Sequence, residues 1–181
     1  MKIFKILLVL DHYEFLENCQ QRLYYYLAHQ TRKVYLNAQL KANLLELDND
    51  GALLIVDYKA EFFGKRGWTL HSVLLYTKNE AEANLNITAF DHWSLDTKQD
   101  AWFTASSLHA VFNTMSNKPK WITIFSDNGP HYHNSEMMAI MTHWKEWYNI
   151  TIKKWIFLEA GEAKTAIDSH HAQVRFFFIF F

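Results

Sequence analysis

The chain has 181 residues, half of them hydrophobic and 17% aromatic, which is enough for one domain with a real core and too apolar for a disordered chain. Lysine and arginine number 18, and aspartate and glutamate 19; the net charge of −1 argues against a strong non-specific grip on nucleic acid, though not against a local basic track. The single cysteine, Cys19, excludes an internal disulfide and any cysteine-based zinc site, and no run approaches the roughly 20 apolar residues that span a bilayer.

Residues 1–48 contain neither glycine nor proline. Their apolar residues Ile3, Leu7, Leu10, Phe15, Cys19, Leu23, Tyr26 and Leu27 recur at helical spacing, which predicts helices broken near Asp11–His12 and Gln30–Lys33. The apolar patch at the start is short, ends at Asp11 and lacks a small-residue cleavage site, so no secretory signal is expected. A nuclear or cytoplasmic location follows as an expectation. Asp48, Asn49, Asp50 and Gly51 are turn chemistry, and the unbroken apolar run Ala52–Val56 predicts a buried strand.

A turn pinned by Gly64 and Gly67 leads to a second strand in "WTLHSVLLYT". The polar "KNEAEAN" then turns the chain into a third strand, "LNITAFDHWS". In "KQDAWFTASSLHAVFNTMS" the residues Trp102, Leu108, Val111, Phe112 and Met115 form a helical stripe. "WITIFSD" predicts a fourth strand, and Ser135–Tyr148 a helix with Met138, Met141, Trp144 and Trp147 or Tyr148 inward. "IKKWIFLEAG" predicts a fifth strand, and "EAKTAIDSHHAQVRF" a last helix opened at Gly161.

Three strands in a meander, followed by alternating helices and strands, predict an α/β domain. The order is that of a ribonuclease H-like mixed five-stranded sheet with helices on both faces, preceded by N-terminal helices. The expected division is an N-terminal helical segment at 1–48, a ribonuclease H-like domain at 49–175 and an aberrant apolar tail at 176–181. That tail, "RFFFIFF", reads as a truncated gene end, with an edge strand or a partner-binding tail as the alternatives.

Three carboxylates fall at informative places. Asp57 closes the first strand, Asp127 closes the fourth, and Asp168 sits one to two turns into the last helix. In a ribonuclease H-like sheet the first and fourth strands are neighbours and the last helix crosses beside them. Acids gathered there repel each other unless cations neutralise them. Two Mg²⁺ or Mn²⁺ ions about 4 Å apart do so, and they activate a water or a 3′-hydroxyl. The plain alternative is turn and surface chemistry, since "DNG" behind a strand is ordinary for a turn.

"SDNGPHY" resembles the second-aspartate motif of retroviral-type integrases and DDE/D transposases. "LEAGEAKTAIDSHHA" resembles the segment that supplies the third acid in transposon-derived ribonuclease H-like proteins. "VDYKAEFFGKRGWTLH" is similar to their first-aspartate hairpin. The resemblance covers about residues 50–175. It implies a nuclease and strand-transfer core acting on DNA phosphodiester bonds with two metal ions, as a fragment or domesticated copy. Asp57, Asp127 and Asp168 would be its catalytic metal ligands. The departures are an aspartate where many integrases have glutamate, with Glu159 and Glu162 as rival third acids, and no visible DNA-binding module. The alternative is a catalytically inactive ribonuclease H-like module that binds nucleic acid or protein.

Several basic groups flank these acids. His131, His133, His170 and His171 could contact phosphate, ligate a metal or form a solvated rim. Lys164 shares a helix face with Asp168, as a phosphate contact or an ordinary ion pair. Lys59, Lys65 and Arg66 lie among Phe62, Phe63 and Trp68, a pattern that tracks a nucleic-acid backbone or merely solvates a turn. The implied partners are DNA, or an RNA–DNA hybrid, and further copies of the chain; no membrane is expected.

Overall fold

The computed structural model describes residues 2–60, 68–78, 84–95, 97–158 and 165–180. The chain forms two compact units, Met1–Gln39 and Leu40–Phe181. Helix α1 (Lys2–Leu45) is unbroken, so the predicted interruptions at Asp11–His12 and Gln30–Lys33 are absent. The reason is the lack of glycine and proline, since polar residues alone do not stop a helix. In the first unit Tyr13, Phe15, Leu16, Leu23 and Tyr25 are exposed, and Thr31 Oγ1 donates to the Leu27 carbonyl at 2.9 Å.

The second unit is α/β. Its strands are β1 (Gly51–Ala60), β2 (Thr69–Lys78), β3 (Leu85–Ser94), β4 (Trp121–Asp127) and β5 (Thr151–Leu158). They form one sheet in the order β3-β2-β1-β4-β5. β1 pairs antiparallel with β2 and β2 with β3, while β1–β4 and β4–β5 are parallel. This is the mixed five-stranded sheet of a ribonuclease H-like fold. β1 lies at its centre and is buried from Gly51 to Tyr58, which explains its uninterrupted apolar run.

Alternation along β1 sorts its residues between two layers. Ala52, Leu54, Val56 and Tyr58 join a core with Leu108, Val111 and Phe112 of α2 (Ala101–Thr114), Met137 and Ile140 of α3 (Ser135–Thr142), and Trp144 of α4 (Trp144–Tyr148). Leu53, Ile55 and Asp57 face the other way, where α5 (Thr165–Phe180) crosses β1 and β2. Helix α2 starts at Asp100, whose carboxylate accepts the Phe103 N–H at 2.8 Å. Asn134 caps α3 in the same way through the Met137 N–H at 2.7 Å.

Three further differences from the sequence reading have local causes. The helix predicted over Ser135–Tyr148 is divided at His143, and Met137 and Ile140 face the core more fully than Met138 and Met141. Trp147 is exposed. Trp102 is also outside the core, in the first turn of α2, where its indole N–H donates to Glu136 at 2.6 Å. Residues 176–180 continue α5 as helix rather than forming an edge strand. The turns expected at Gly64–Gly67 and in most of "KNEAEAN", and the start of the last helix at Gly161, lie outside the described residues. Among the described residues no helix is long and apolar enough to cross a membrane.

Candidate metal centre

The acids sit at the C-terminal ends of the two central parallel strands. The described parallel pairing of β1 with β4 runs as far as Ile55 opposite Phe125. Asp57 and Asp127 each lie two residues beyond that pair, and two residues are one repeat of the pleat. They therefore occupy the same level and the same face of adjacent strands. Asp57 is buried, and buried carboxylates are as a rule paired or bound to a cation.

The turn after β4 holds Asp127 in place. Its Oδ1 accepts the Gly129 N–H at 2.8 Å, an Asx turn. His131 Nε2 lies 3.1 Å from the same oxygen as an ion-pair contact, but its direction does not make a hydrogen bond. A Cβ on Gly129 would collide with the His131 ring and come within 2.8 Å of Asp127 Oδ1. Any side chain at position 129 would therefore have to displace one of these two side chains.

Asp168 lies in the first turn of α5. Ile167 and His171 are both buried and lie four residues apart, so this side of the helix faces the sheet. One donor atom from each of Asp57, Asp168 and His171 falls within 4.8 Å of the other two. His171 Nδ1 is 4.0 Å from Asp57 Oδ2. Burial lowers the His171 pKa to about 4, helped by His170 and Lys59, against the opposing pull of Asp91 and Asp168. Among the described residues, this is the group of three whose donors lie close enough for one metal ion, and Asp127 stands outside it.

Asp91 is a neighbour that the sequence reading missed. Asp57 pairs with Ser72, and Ser72 with Asp91, so all three share one face across β1, β2 and β3. Ser72 Oγ donates to Asp91 Oδ1 at 2.5 Å, and His170 Nε2 donates to both Asp91 oxygens at 3.0 Å. These bonds fasten α5 over the sheet and align the next residue, His171, with Asp57. No sequence pattern within β3 signals this, because it depends on cross-strand register.

The remaining candidates fall at different places. His133 stacks on Phe157 at 4.4 Å and bonds to Asn128 through Nδ1 at 2.6 Å. Lys59 is exposed on β1, two residues beyond Asp57 and on the same side of the strand. Lys65, Arg66, Glu159, Glu162 and Lys164 lie outside the described residues.

A buried polar chain approaches the acids from the opposite layer. His92 Nδ1 is 2.6 Å from Ser107 Oγ, which is 2.7 Å from His71 Nδ1, and His71 Nε2 is 3.0 Å from the Tyr132 hydroxyl. Burial holds the Tyr132 pKa well above its usual value, with Asp57, Tyr58 and Asp127 adding to the effect. Burial also lowers the His71 pKa to about 3, with His92, His131 and His171 adding to it.

His71 is therefore neutral in the fold, whereas an unfolded histidine protonates near its usual value of about 6.5. The stability this contributes is complete above about 6.5 and is lost progressively as the pH falls toward about 3. Below 6.5 the loss is roughly 1 kcal/mol per pH unit. Urea midpoints measured from pH 7 to pH 4.5 should fall less steeply in His71→Gln than in the wild type. Parallel slopes would mean that His71 is not the titrating group.

A family described as a domain of unknown function, DUF8701, matches residues 52–176. No curated protein matches the chain.

Proposed function

The chain belongs to the DUF8701 family, whose matched region takes in Asp57, Asp127, Asp168 and His171, and we propose that this domain is a transposase- or integrase-like core that cuts and joins DNA phosphodiester bonds with divalent cations. The observation that carries the reading is the convergence of Asp57 and Asp168 from β1 and α5, with donors within 4.8 Å, beside the strand that ends in Asp127. Hard oxygen donors of this kind suit Mg²⁺ or Mn²⁺. Asp57, Asp127 and Asp168 would hold such cations, whose chemistry would be to activate a water or a 3′-hydroxyl and to stabilise the leaving oxygen.

The chain's own residues have distinct parts in this proposal. Asp57 and Asp127 present charge from a rigid sheet, and Asp168 completes the set from a helix fastened through His170 and Asp91. Lys59 stands beside the acids on the same side of β1, where a cation would meet a phosphate. His131 packs edge-on against Tyr58 with ring centroids 5.0 Å apart and keeps Asp127 from turning away.

A catalytically inactive module that binds nucleic acid or protein is the second reading, favoured by the net charge of −1. Mn²⁺-dependent nicking of a supercoiled plasmid by the purified protein, lost in Asp127→Asn, separates the two. Nicking that is absent from the wild type, or unchanged in Asp127→Asn, favours the second.

Gly129→Ala tests the positioning of Asp127. The added methyl has to displace the Asp127 carboxylate or the His131 ring, both of which are movable ends. Nicking should fall about 10- to 100-fold, as for a catalytic group misplaced by about 1 Å. The melting temperature should change little. Full activity in Gly129→Ala would show that the turn does not position the acid.

A further inference from the structure

We infer that His171 is a nitrogen ligand to the cation held by Asp57 and Asp168, which makes the centre a mixed oxygen–nitrogen site for a divalent transition-metal ion such as Mn²⁺. This rests on the metal-centre reading above and adds to it the identity of a ligand and the class of ion.

The imidazole is the reason. His171 is 4% exposed, and neither ring nitrogen has a hydrogen-bond partner among the described residues. Buried polar atoms without partners are rare and costly, so one in a fold needs an explanation. The adjacent His170 shows the ordinary solution, with Nε2 bonded to both oxygens of Asp91. His171 instead aims Nδ1 at Asp57 Oδ2 from 4.0 Å. That is too long for a hydrogen bond. It suits two donors on one ion, because metal–ligand bonds of about 2.0–2.6 Å allow separations of up to about 5 Å.

The helix supplies the third donor by its own period. Asp168 precedes His171 by three residues, so both lie along one side of α5. The sheet supplies Asp57, and β1 is too central to move. Two carboxylates alone would favour a hard ion with several waters. An imidazole nitrogen shifts the preference toward transition metals, which accept nitrogen more readily than Mg²⁺ does.

The test uses Mn²⁺ as the probe on the full chain. Pulsed electron paramagnetic resonance of the Mn²⁺-loaded protein should show modulation from a directly bound imidazole ¹⁴N. His171→Ala and the closer-sized His171→Asn should lose that modulation, and Mn²⁺ affinity should fall at least the roughly 10-fold that loss of even an outer-sphere partner costs. Mg²⁺ affinity should fall less. Asp57→Asn serves as the companion measurement. If it loses Mn²⁺ binding while the wild type shows no ¹⁴N modulation, the centre stands and the histidine ligand is overturned. If the modulation persists in either folded His171 variant, the ligand is overturned as well. If the wild type binds no Mn²⁺, or Asp57→Asn binds it unchanged, both the ligand and the centre are overturned.

Discussion

Asp127→Asn should abolish Mn²⁺-dependent nicking while leaving the fold intact. The substitution removes a charge and almost nothing else. Asparagine keeps the Oδ1 that accepts the Gly129 N–H at 2.8 Å, so the turn behind β4 retains its anchor. What disappears is an anionic oxygen at the end of the strand beside Asp57, where a cation would otherwise be held. Losing one group that stabilises transition-state charge costs about 10²–10³-fold, and a metal ligand should cost at least that. Circular dichroism and the urea midpoint should match the wild type to within about 0.5 kcal/mol, the usual range for an uninvolved surface site. A large stability loss would mean that Asp127 is structural and would remove the basis for the catalytic assignment.

The second large effect concerns the core. Phe112→Ala should destabilise the protein by about 3–5 kcal/mol. Phe112 has no exposed surface and meets Trp144 edge-on with ring centroids 6.1 Å apart. It joins α2 and α4 to the layer of β1 that includes Leu54 and Val56. Its removal leaves a cavity among fixed neighbours, since strands on one side and two helices on the other limit collapse. Against a typical total of about 5–15 kcal/mol, this is a large fraction. Trp102→Ala, in the same helix but 60% exposed, should cost under about 1 kcal/mol in the same urea titration. Equal costs for the two would contradict the assignment of the core to this face of α2.

Much of the sheet was legible because its punctuation is strong. β3 and β4 occupy the predicted stretches, each bounded by polar turn residues. Asp57 and Asp127 stood out because they end apolar runs that only a buried strand explains. The errors have physical causes as well. The gaps in the apolar spacing near Asp11–His12 and Gln30–Lys33 suggest breaks in α1, yet without glycine or proline nothing opposes continued helix. The division at His143 leaves no mark in composition, so a single stripe through it finds Met138 and Met141, which pack partly buried against the core, and misses the more fully buried Met137 and Ile140. Trp102 joins the helical stripe of Leu108, Val111 and Phe112 by spacing, whereas its place in the first turn leaves it outside the core.

The histidines show the limit most clearly. Adjacent histidines cannot be sorted from composition, but helical period from Ile167 points to position 171 as the one beneath α5. Asp91 was beyond reach, because its meeting with Ser72 and His170 requires the register of two strand pairings and the placement of α5.

The claim that these acids form a metal centre is tested most directly by crystals soaked in Mn²⁺, with data collected for the anomalous signal of manganese. A peak is expected about 2.0–2.6 Å from carboxylate oxygens of both Asp57 and Asp168, absent from crystals of Asp57→Asn. No peak between these two residues at saturating Mn²⁺, or a peak that survives unchanged in Asp57→Asn, would contradict it.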